Sequence, residues 1–261
     1  MPVKGARGPW MWPLGLAVIG ILLLLHNFLL LDNFNVAALW PLLLVVAGAA
    51  ILLRGDLTPG AEGRTFGITR GSVESATLEI SAGEIDVAVH PLQREGRLIA
   101  GQYAAGSRPF MRVNDTHTYL RMNRASTPWF SFADWEMALA HDLPWQILAS
   151  SHLGNINLEL SKLIVQEVVA ATGFGDIRLT CPQEALGLLR LHSTLGNIHI
   201  ITPVGYRARI TNHAGRLFRI YADERRYQQA EPHVYLSRDA DDAAPLVEIA
   251  VYGTFGDAYF T

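Results

Sequence analysis

The sequence predicts a mostly β protein: a single-domain β-solenoid, or flattened β-helix, of stacked coils of about 21 residues, preceded by a two-helix transmembrane hairpin. Three observations predict it. A glycine-centred motif recurs at constant spacing in the second half of the chain. Short alternating apolar and polar runs, bounded by Gly, Pro, Asn and Asp, dominate after residue 65. Two long uncharged apolar runs lie near the N-terminus.

The composition averages these two unlike parts. The chain is 50% hydrophobic and 17% charged, and its formal net charge is −3. Such a charge provides no broad basic surface for a phosphate backbone, so nucleic acid is not an expected partner. The single cysteine, Cys181, excludes an internal disulfide and a cysteine-based metal cage.

The predicted hairpin occupies residues 1–54 together with the N-terminal tail. Residues 10–31 and 36–53 carry no charge, and only 32–35 separate the two runs. At 1.5 Å per residue the shorter run spans roughly 27 Å, close to the hydrocarbon thickness of a bilayer. We therefore expect helices over about 11–31 and 36–53, antiparallel to each other, with the lipid bilayer as the first partner.

Basic residues predict the orientation of the hairpin. Lys4 and Arg7 precede the first helix, Arg54 and Arg64 follow the second, and the connecting turn has no basic residue. The positive-inside rule then places both termini in the cytoplasm.

A linker and one β domain follow the hairpin. Residues 55–65 are rich in turn formers and small residues, which is typical of a linker. The remaining residues, 66–261, are numerous enough to bury one sizeable core.

The repeat is clearest at residues 151–158, 172–179 and 193–200, whose glycines are spaced 21 residues apart. Looser copies begin at residues 83, 215 and 255. In each unit, glycine permits a tight corner, Asn or Asp tolerates the same geometry, and an alternating strand follows. The predicted corner residues are Gly83, Gly154, Asn155, Gly175, Asp176, Gly196, Asn197, Gly215, Gly256 and Asp257.

The two-residue period sorts the faces of these strands. Ile156, Leu158 and Leu160 are predicted to point inward, as are Ile177, Leu179 and Cys181 one coil later and Ile198 and Ile200 after that. Cys181 is therefore interpreted as a buried structural thiol, and His199 as an outward side chain. Residues 164–170 and 186–191 would supply a second strand to each coil.

No pattern in the sequence indicates chemistry. There is no H-E-x-x-H, no Cys/His cluster, no P-loop and no Rossmann fingerprint. We expect no catalytic, cofactor-binding or metal-ligating residues, and hence a protein that is not an enzyme and needs no cofactor.

One aromatic segment lies outside the repeat. Residues 127–137 contain Trp129, Phe130, Phe132 and Trp135. These side chains could contact a partner protein or the bilayer interface. Alternatively, they could cap the first open coil of the solenoid, because a stack of coils must protect its ends.

Residues 12–54 resemble the LiaI/LiaF-type transmembrane region of bacterial envelope-stress regulators. The resemblance rests on duplicated Trp-Pro-Leu at 12–14 and 40–42, the turn at 31–33 and the exit at 52–55. The remainder resembles the toastrack β-domain that follows it, through Asp134-Trp135-Glu136, Leu143-Pro144-Trp145, the repeated Gly-Asn/Asp-Ile units and the closing Phe255-Gly256-Asp257.

This resemblance implies a bacterial cytoplasmic-membrane protein that modulates a sensor histidine kinase, often by inhibition, and that self-associates through its β-domain. It implies no catalytic residues. Two other functions remain open: a β-helix carbohydrate-active enzyme exposed outside the cell, and a membrane-tethered structural polymer of stacked coils.

Overall fold

The computed structural model describes residues 64–93, 96–103, 107–124, 134–238 and 243–261. The chain divides into two compact units, and every described residue belongs to the unit formed by 56–126 and 131–261. The predicted hairpin at 1–54 and the linker up to residue 63 lie outside the described residues. Within the described ranges, no helix has the length and apolar character needed to cross a membrane.

Nineteen strands account for most of the described chain, which confirms the prediction of a mostly β fold. They are β1 (Arg64–Thr69), β2 (Ser75–Ser81), β3 (Val87–Pro91), β4 (Arg97–Tyr103), β5 (Phe110–Asn114), β6 (His117–Asn123), β7 (Trp135–Leu139), β8 (Pro144–Leu153), β9 (Ile156–Glu159), β10 (Ile164–Phe174), β11 (Ile177–Thr180), β12 (Glu184–Ala185), β13 (Leu189–Leu195), β14 (Ile198–Ile201), β15 (Arg207–Asn212), β16 (Phe218–Ala222), β17 (Tyr227–Glu231), β18 (Val234–Ser237) and β19 (Leu246–Phe260).

The strands form two sheets that β19 joins, because its first part pairs in one sheet and its last part in the other. Sheet A has the order β1-β4-β7-β3-β9-β11-β14-β19-β16. Sheet B has the order β5-β6-β2-β8-β10-β13-β19-β15-β18-β17, with β12 also paired to β10. The two sheets supply the two strands per coil that the repeat predicted.

Seven parallel layers make up the stack, but their order differs from the order of the chain. The layers are β6 with β7, β2 with β3, β8 with β9, β10 with β11, β13 with β14, the two parts of β19, and β15 with β16. The last strand of the chain is therefore inserted between β14 and β16. Only the three central layers follow one another directly in sequence.

The core lies between the two sheets and consists of the residues that the two-residue period placed inward. Their side chains have no accessible surface: Ile156, Leu158, Leu160, Ile177, Leu179, Cys181, Ile198 and Ile200. Successive layers align these residues directly, since Ile177 lies opposite both Ile156 and Ile198. The predicted burial of Cys181 is thus confirmed.

Glycine is required at the corner where sheet B passes into sheet A. Gly175 and Gly196 have φ angles of 144° and 149°, which L-residues rarely adopt. A Cβ at Gly175 would overlap the carbonyl oxygen of Gly154, and a Cβ at Gly196 would overlap that of Gly175. The corner therefore allows the backbones of neighbouring layers to approach at strand spacing.

Two predicted corners are displaced from this glycine row. Val87 lies opposite Ile156, so Ile85 occupies the position of Gly154, and Gly83 precedes the corner by two residues. Phe218 lies opposite Gly256, so Gly215 precedes the corner by three residues. There the chain enters β16 through a turn, in which the Phe218 amide donates to the Gly215 carbonyl at 3.1 Å. The sequence alignment of both copies was wrong.

The two ends of the stack are finished differently. Beyond β7 and β6, antiparallel strands extend both sheets: β4 and β1 in sheet A, and β5 in sheet B. Beyond the last parallel layer, antiparallel β18 and β17 extend sheet B alone. In sheet A, β16 pairs with β19 and with no other described strand.

We predict that Gly175→Ala lowers the free energy of unfolding by about 3 kcal/mol or more, because strain at positive φ adds to a clash with the Gly154 carbonyl. Gly71→Ala is the matched control, since Gly71 also has positive φ (59°) but open space where the Cβ would lie. It should cost about 1 kcal/mol. Urea denaturation of the full chain, followed by circular dichroism, compares the two, and equal losses would contradict the close-approach argument.

Candidate functional site

Five exposed apolar side chains lie in register along the glycine corner. Leu153, Phe174 and Leu195 end strands β8, β10 and β13 and lie opposite one another, and Phe255 of β19 continues the row. Leu217 precedes Phe218, the partner of Gly256, and so takes the next position. Their exposed fractions are 42%, 55%, 48%, 47% and 66%. We call these five residues the apolar column.

The column is exposed because the inward positions of the corner are already filled. In β8 the alternation of buried and exposed residues ends at Ser151, and both His152 and Leu153 face solvent. Ser151 and its counterpart Thr172 are buried and donate hydrogen bonds to corner carbonyls, Thr172 Oγ1 to the Gly154 oxygen at 3.0 Å. Glycine directly follows Leu153 and Phe174 in the chain. It has no side chain that could cover these apolar residues.

A row of Asp and Asn side chains runs beside the apolar column, one residue after the glycine row. We call Asp86, Asn155, Asp176, Asn197 and Asp257 the Asx ladder. Each of the first four members uses a side-chain oxygen to accept from the backbone amide of the member in the next layer. The donor–acceptor distances are 2.7 Å from Asn155 to Asp86, 2.9 Å from Asp176 to Asn155, 2.7 Å from Asn197 to Asp176, and 3.1 Å from Asp257 to Asn197.

The Asx ladder makes the polar side of the corner acidic. Three of its members are aspartates, and Asp134 lies next to Asp86, since the following residue, Trp135, is opposite Val87. Partial removal from water, and then the charge of Asp86, raise the pKa of the Asp134 carboxyl. At the other end, the Arg219 guanidinium lies 3.5 Å from the Asp257 carboxylate. The corner thus combines an apolar row with a parallel row of negative charge.

Stacked rings line the outer face of sheet A. His199, Tyr259 and Tyr221 are opposite one another in successive strands, with ring centroids 4.9 Å and 5.3 Å apart and interplanar angles of 10° and 13°. His199 points outward, as the repeat predicted. Tyr259, the middle ring, therefore has both of its faces covered by its neighbours.

Neither the single thiol of the described residues nor any cluster of metal-ligating side chains among them is placed for chemistry. Burial raises the pKa of the Cys181 thiol to about 12, so the thiolate needed for nucleophilic attack does not form near neutral pH. Its Sγ lies 3.4 Å from Thr202 Oγ1, to which the Tyr227 hydroxyl donates at 2.6 Å. No three His, Cys, Asp or Glu side chains of the described chain are placed to hold a metal ion together.

Of the four aromatic residues for which contact or capping was predicted, the structure describes only Trp135. Trp135 is fully buried in β7, where its side chain faces the core, so it cannot contact a partner or a bilayer. Trp129, Phe130 and Phe132 lie outside the described residues. Sequence reasoning missed the apolar column, although an apolar residue directly before each corner glycine was the available signal.

No protein-family model matches the chain, and no curated protein matches it. A solved structure with a similar fold is a "putative cell adhesion protein" from Clostridium sporogenes ATCC 15579. It shares 14% sequence identity at a TM-score of 0.64, over 76% of this chain and 97% of that chain. At this identity the likeness shows the fold alone.

Two further solved structures align over similar lengths. A "putative adhesin" from Bacteroides fragilis NCTC 9343 has 11% identity and a TM-score of 0.29, covering 78% of this chain and 99% of that chain. A "putative adhesin" from Parabacteroides merdae ATCC 43184 has 12% identity and a TM-score of 0.24, covering 79% and 99%. Both TM-scores are below 0.5, so the comparison of folds rests on the Clostridium protein.

We predict that Asp176→Ala destabilises the stack by about 1–3 kcal/mol, because the Asn197 amide loses a charged acceptor. Asp176→Asn should cost less than about 1 kcal/mol, since an amide oxygen can accept the same bond, as Asn155 does for Asp176. Hydrogen exchange at the Asn197 amide separates the two variants: it should accelerate with Ala and stay slow with Asn. Equal exchange rates in the two variants would refute the role of the ladder.

Proposed function

We propose that this β domain is a non-catalytic module that binds another protein through the apolar column. The observation that carries the proposal is the alignment of five exposed Leu and Phe side chains in adjacent layers. At a strand spacing of about 4.8 Å, the column is about 19 Å long. Contiguous exposed apolar surface of this kind is typical of protein contacts and is costly to leave in water.

The charge beside the column favours a protein over a membrane surface as its partner. Asp176 and Asp257 each follow a residue of the column, Phe174 and Phe255, by two positions, and Asp86 lies one layer beyond Asn155. Cytoplasmic leaflets are negatively charged and would repel this edge. A groove with an apolar floor and a basic rim would complement both rows at once.

We further propose that residues 1–54 anchor this module in the bacterial cytoplasmic membrane, where it regulates a membrane partner such as a sensor histidine kinase. The uncharged runs at 10–31 and 36–53, and the resemblance to envelope-stress regulators, support this role. A partner in the same membrane is confined near the tethered domain, so even a modest contact would be occupied.

The second candidate is an adhesin on the cell surface. The observation that favours it is the similar fold of the Clostridium protein, whose name describes cell adhesion. An adhesin would use the same exposed column but would need the β domain outside the cytoplasm.

Phe174→Ser combined with Leu195→Ser should weaken partner binding, because two apolar side chains near the centre of the column are lost. We expect at least a tenfold decrease in the partner recovered by crosslinking in native membranes and affinity purification, with an unchanged melting temperature. Leu186→Ser combined with Val204→Ser is the matched control, since these side chains are 66% and 81% exposed and lie outside the column. The proposal fails if both double variants recover the same partner equally.

An alkaline phosphatase fused after Thr261 decides between the two cellular roles. The basic residues that flank the hairpin, Lys4, Arg7, Arg54 and Arg64, predict a cytoplasmic C-terminus and hence an inactive fusion. Fusion of a cytoplasm-active reporter at the same point is the control and should be active. An active phosphatase would instead support the adhesin.

A further inference from the structure

Within the described residues, sheet A ends two strand positions before sheet B at one end of the stack. The last parallel layer pairs β16 in sheet A with β15 in sheet B. Past this layer, sheet B extends by the antiparallel hairpin β18–β17, whereas no described strand follows β16. The hairpin therefore overhangs the edge of sheet A by two strand positions.

The outer edge of β16 has backbone groups that no described strand pairs. The Asp223 amide donates to the Phe260 carbonyl at 3.0 Å, so residues 219, 221 and 223 direct their amides and carbonyls towards β19. In a parallel ladder, alternate residues point to opposite sides. Ile220 and Ala222 therefore direct their N–H and C=O groups away from β19, towards the position of a missing strand.

A groove of about 650 Å³ lies beside this edge. Its lining combines Ile220 and Ala222 of β16 with Tyr227 and Tyr235 of the overhanging hairpin. The same four side chains pack against the hydrophobic core, so the groove continues the space between the sheets. A strand added to β16 would direct every second side chain into it.

The charges around the edge predict which residues the added strand would carry at the positions that do not enter the groove. Arg225, Arg238 and Glu224 line the groove, so basic groups outnumber acidic ones. On the outer face of β16, Arg219 is 76% exposed and Tyr221 is 46% exposed. Outward residues of an added strand would be cross-strand neighbours of this arginine, which favours carboxylates.

From this geometry we propose that β16 accepts an extended segment of a partner protein as the next strand of sheet A. The segment alternates apolar residues, which enter the groove, with acidic residues, which face Arg219. Backbone hydrogen bonds to Ile220 and Ala222 supply affinity, and the alternating side chains supply specificity. This surface is separate from the centre of the apolar column and does not depend on the function proposed for it.

A second copy of the chain does not fit this edge by the obvious pairing. Two β16 strands paired antiparallel about a twofold axis would bring both overhanging hairpins to the same side of the joined sheet. Four strands would then compete for a gap of about one strand spacing, roughly 4.8 Å. The proposed occupant is therefore an extended segment that carries no overhang of its own.

The test uses the full chain and a labelled seven-residue peptide in which valine and glutamate alternate. We expect saturable binding by fluorescence anisotropy, and slower hydrogen exchange at the Ile220 and Ala222 amides when the peptide is bound. A valine–lysine peptide of the same length should bind at least tenfold more weakly. Phe174→Ser with Leu195→Ser, which removes the centre of the apolar column, should bind the peptide unchanged.

Two variants test the edge itself. Ala222→Pro removes an outward N–H that makes no bond to β19, and should weaken peptide binding at least tenfold. Arg219→Glu should reverse the preference between the two peptides while leaving the groove intact. The proposal is overturned if the Ile220 and Ala222 amides stay unprotected at saturating peptide, or if Ala222→Pro binds the peptide as well as the unmodified chain does. It is also overturned if protection of these amides rises with protein concentration alone, because a second copy would then be the occupant.

Discussion

The close approach of backbones at the glycine corner is the constraint on which the rest of this fold depends. Gly175 and Gly196 each lie against the carbonyl oxygen of the preceding layer, where any Cβ would overlap it. This contact fixes the vertical register of the layers. Once the register is fixed, the two-residue alternation of each strand places the same position of every layer in the same environment, so the core, the corner and the outer faces all become continuous rows.

Rows of like residues follow from this register, because a stacked register repeats one kind of group at strand spacing. The apolar column and the Asx ladder are two such rows, and they lie next to each other along one corner. The ladder satisfies the corner amides with side-chain oxygens and leaves the corner negatively charged. The proposed binding function uses the apolar row, and the acidic row beside it would select a basic rim on the partner.

The sequence revealed the parts of the fold that follow local rules. The 21-residue spacing identified the layers that contain Gly154, Gly175 and Gly196, and the alternation identified their buried residues, including Cys181. It could not reveal that β19 lies between β14 and β16, because that placement depends on pairing between strands distant in sequence. Gly83 and Gly215 were misaligned for a local reason: their layers enter sheet A through bends of other lengths, so spacing alone did not locate the corner.

The two edge strands at the β16 end of the stack, β16 and β17, differ in how they are protected against pairing with a further strand. Edge strands tend to avoid uncontrolled pairing by carrying exposed polar or charged residues. Strand β17 follows this rule, with exposed Gln228, Gln229 and Glu231. Strand β16 carries one exposed charge, Arg219, on its outer face. Its residues Phe218, Ile220 and Ala222 face the core, and the amides of the last two point away from β19. The ring row on the outer face of sheet A, which consists of His199, Tyr259 and Tyr221, also ends at β16. An edge with free amides, an apolar inner row and a groove beneath a two-strand overhang has the features of a sheet that is completed by a strand from another protein.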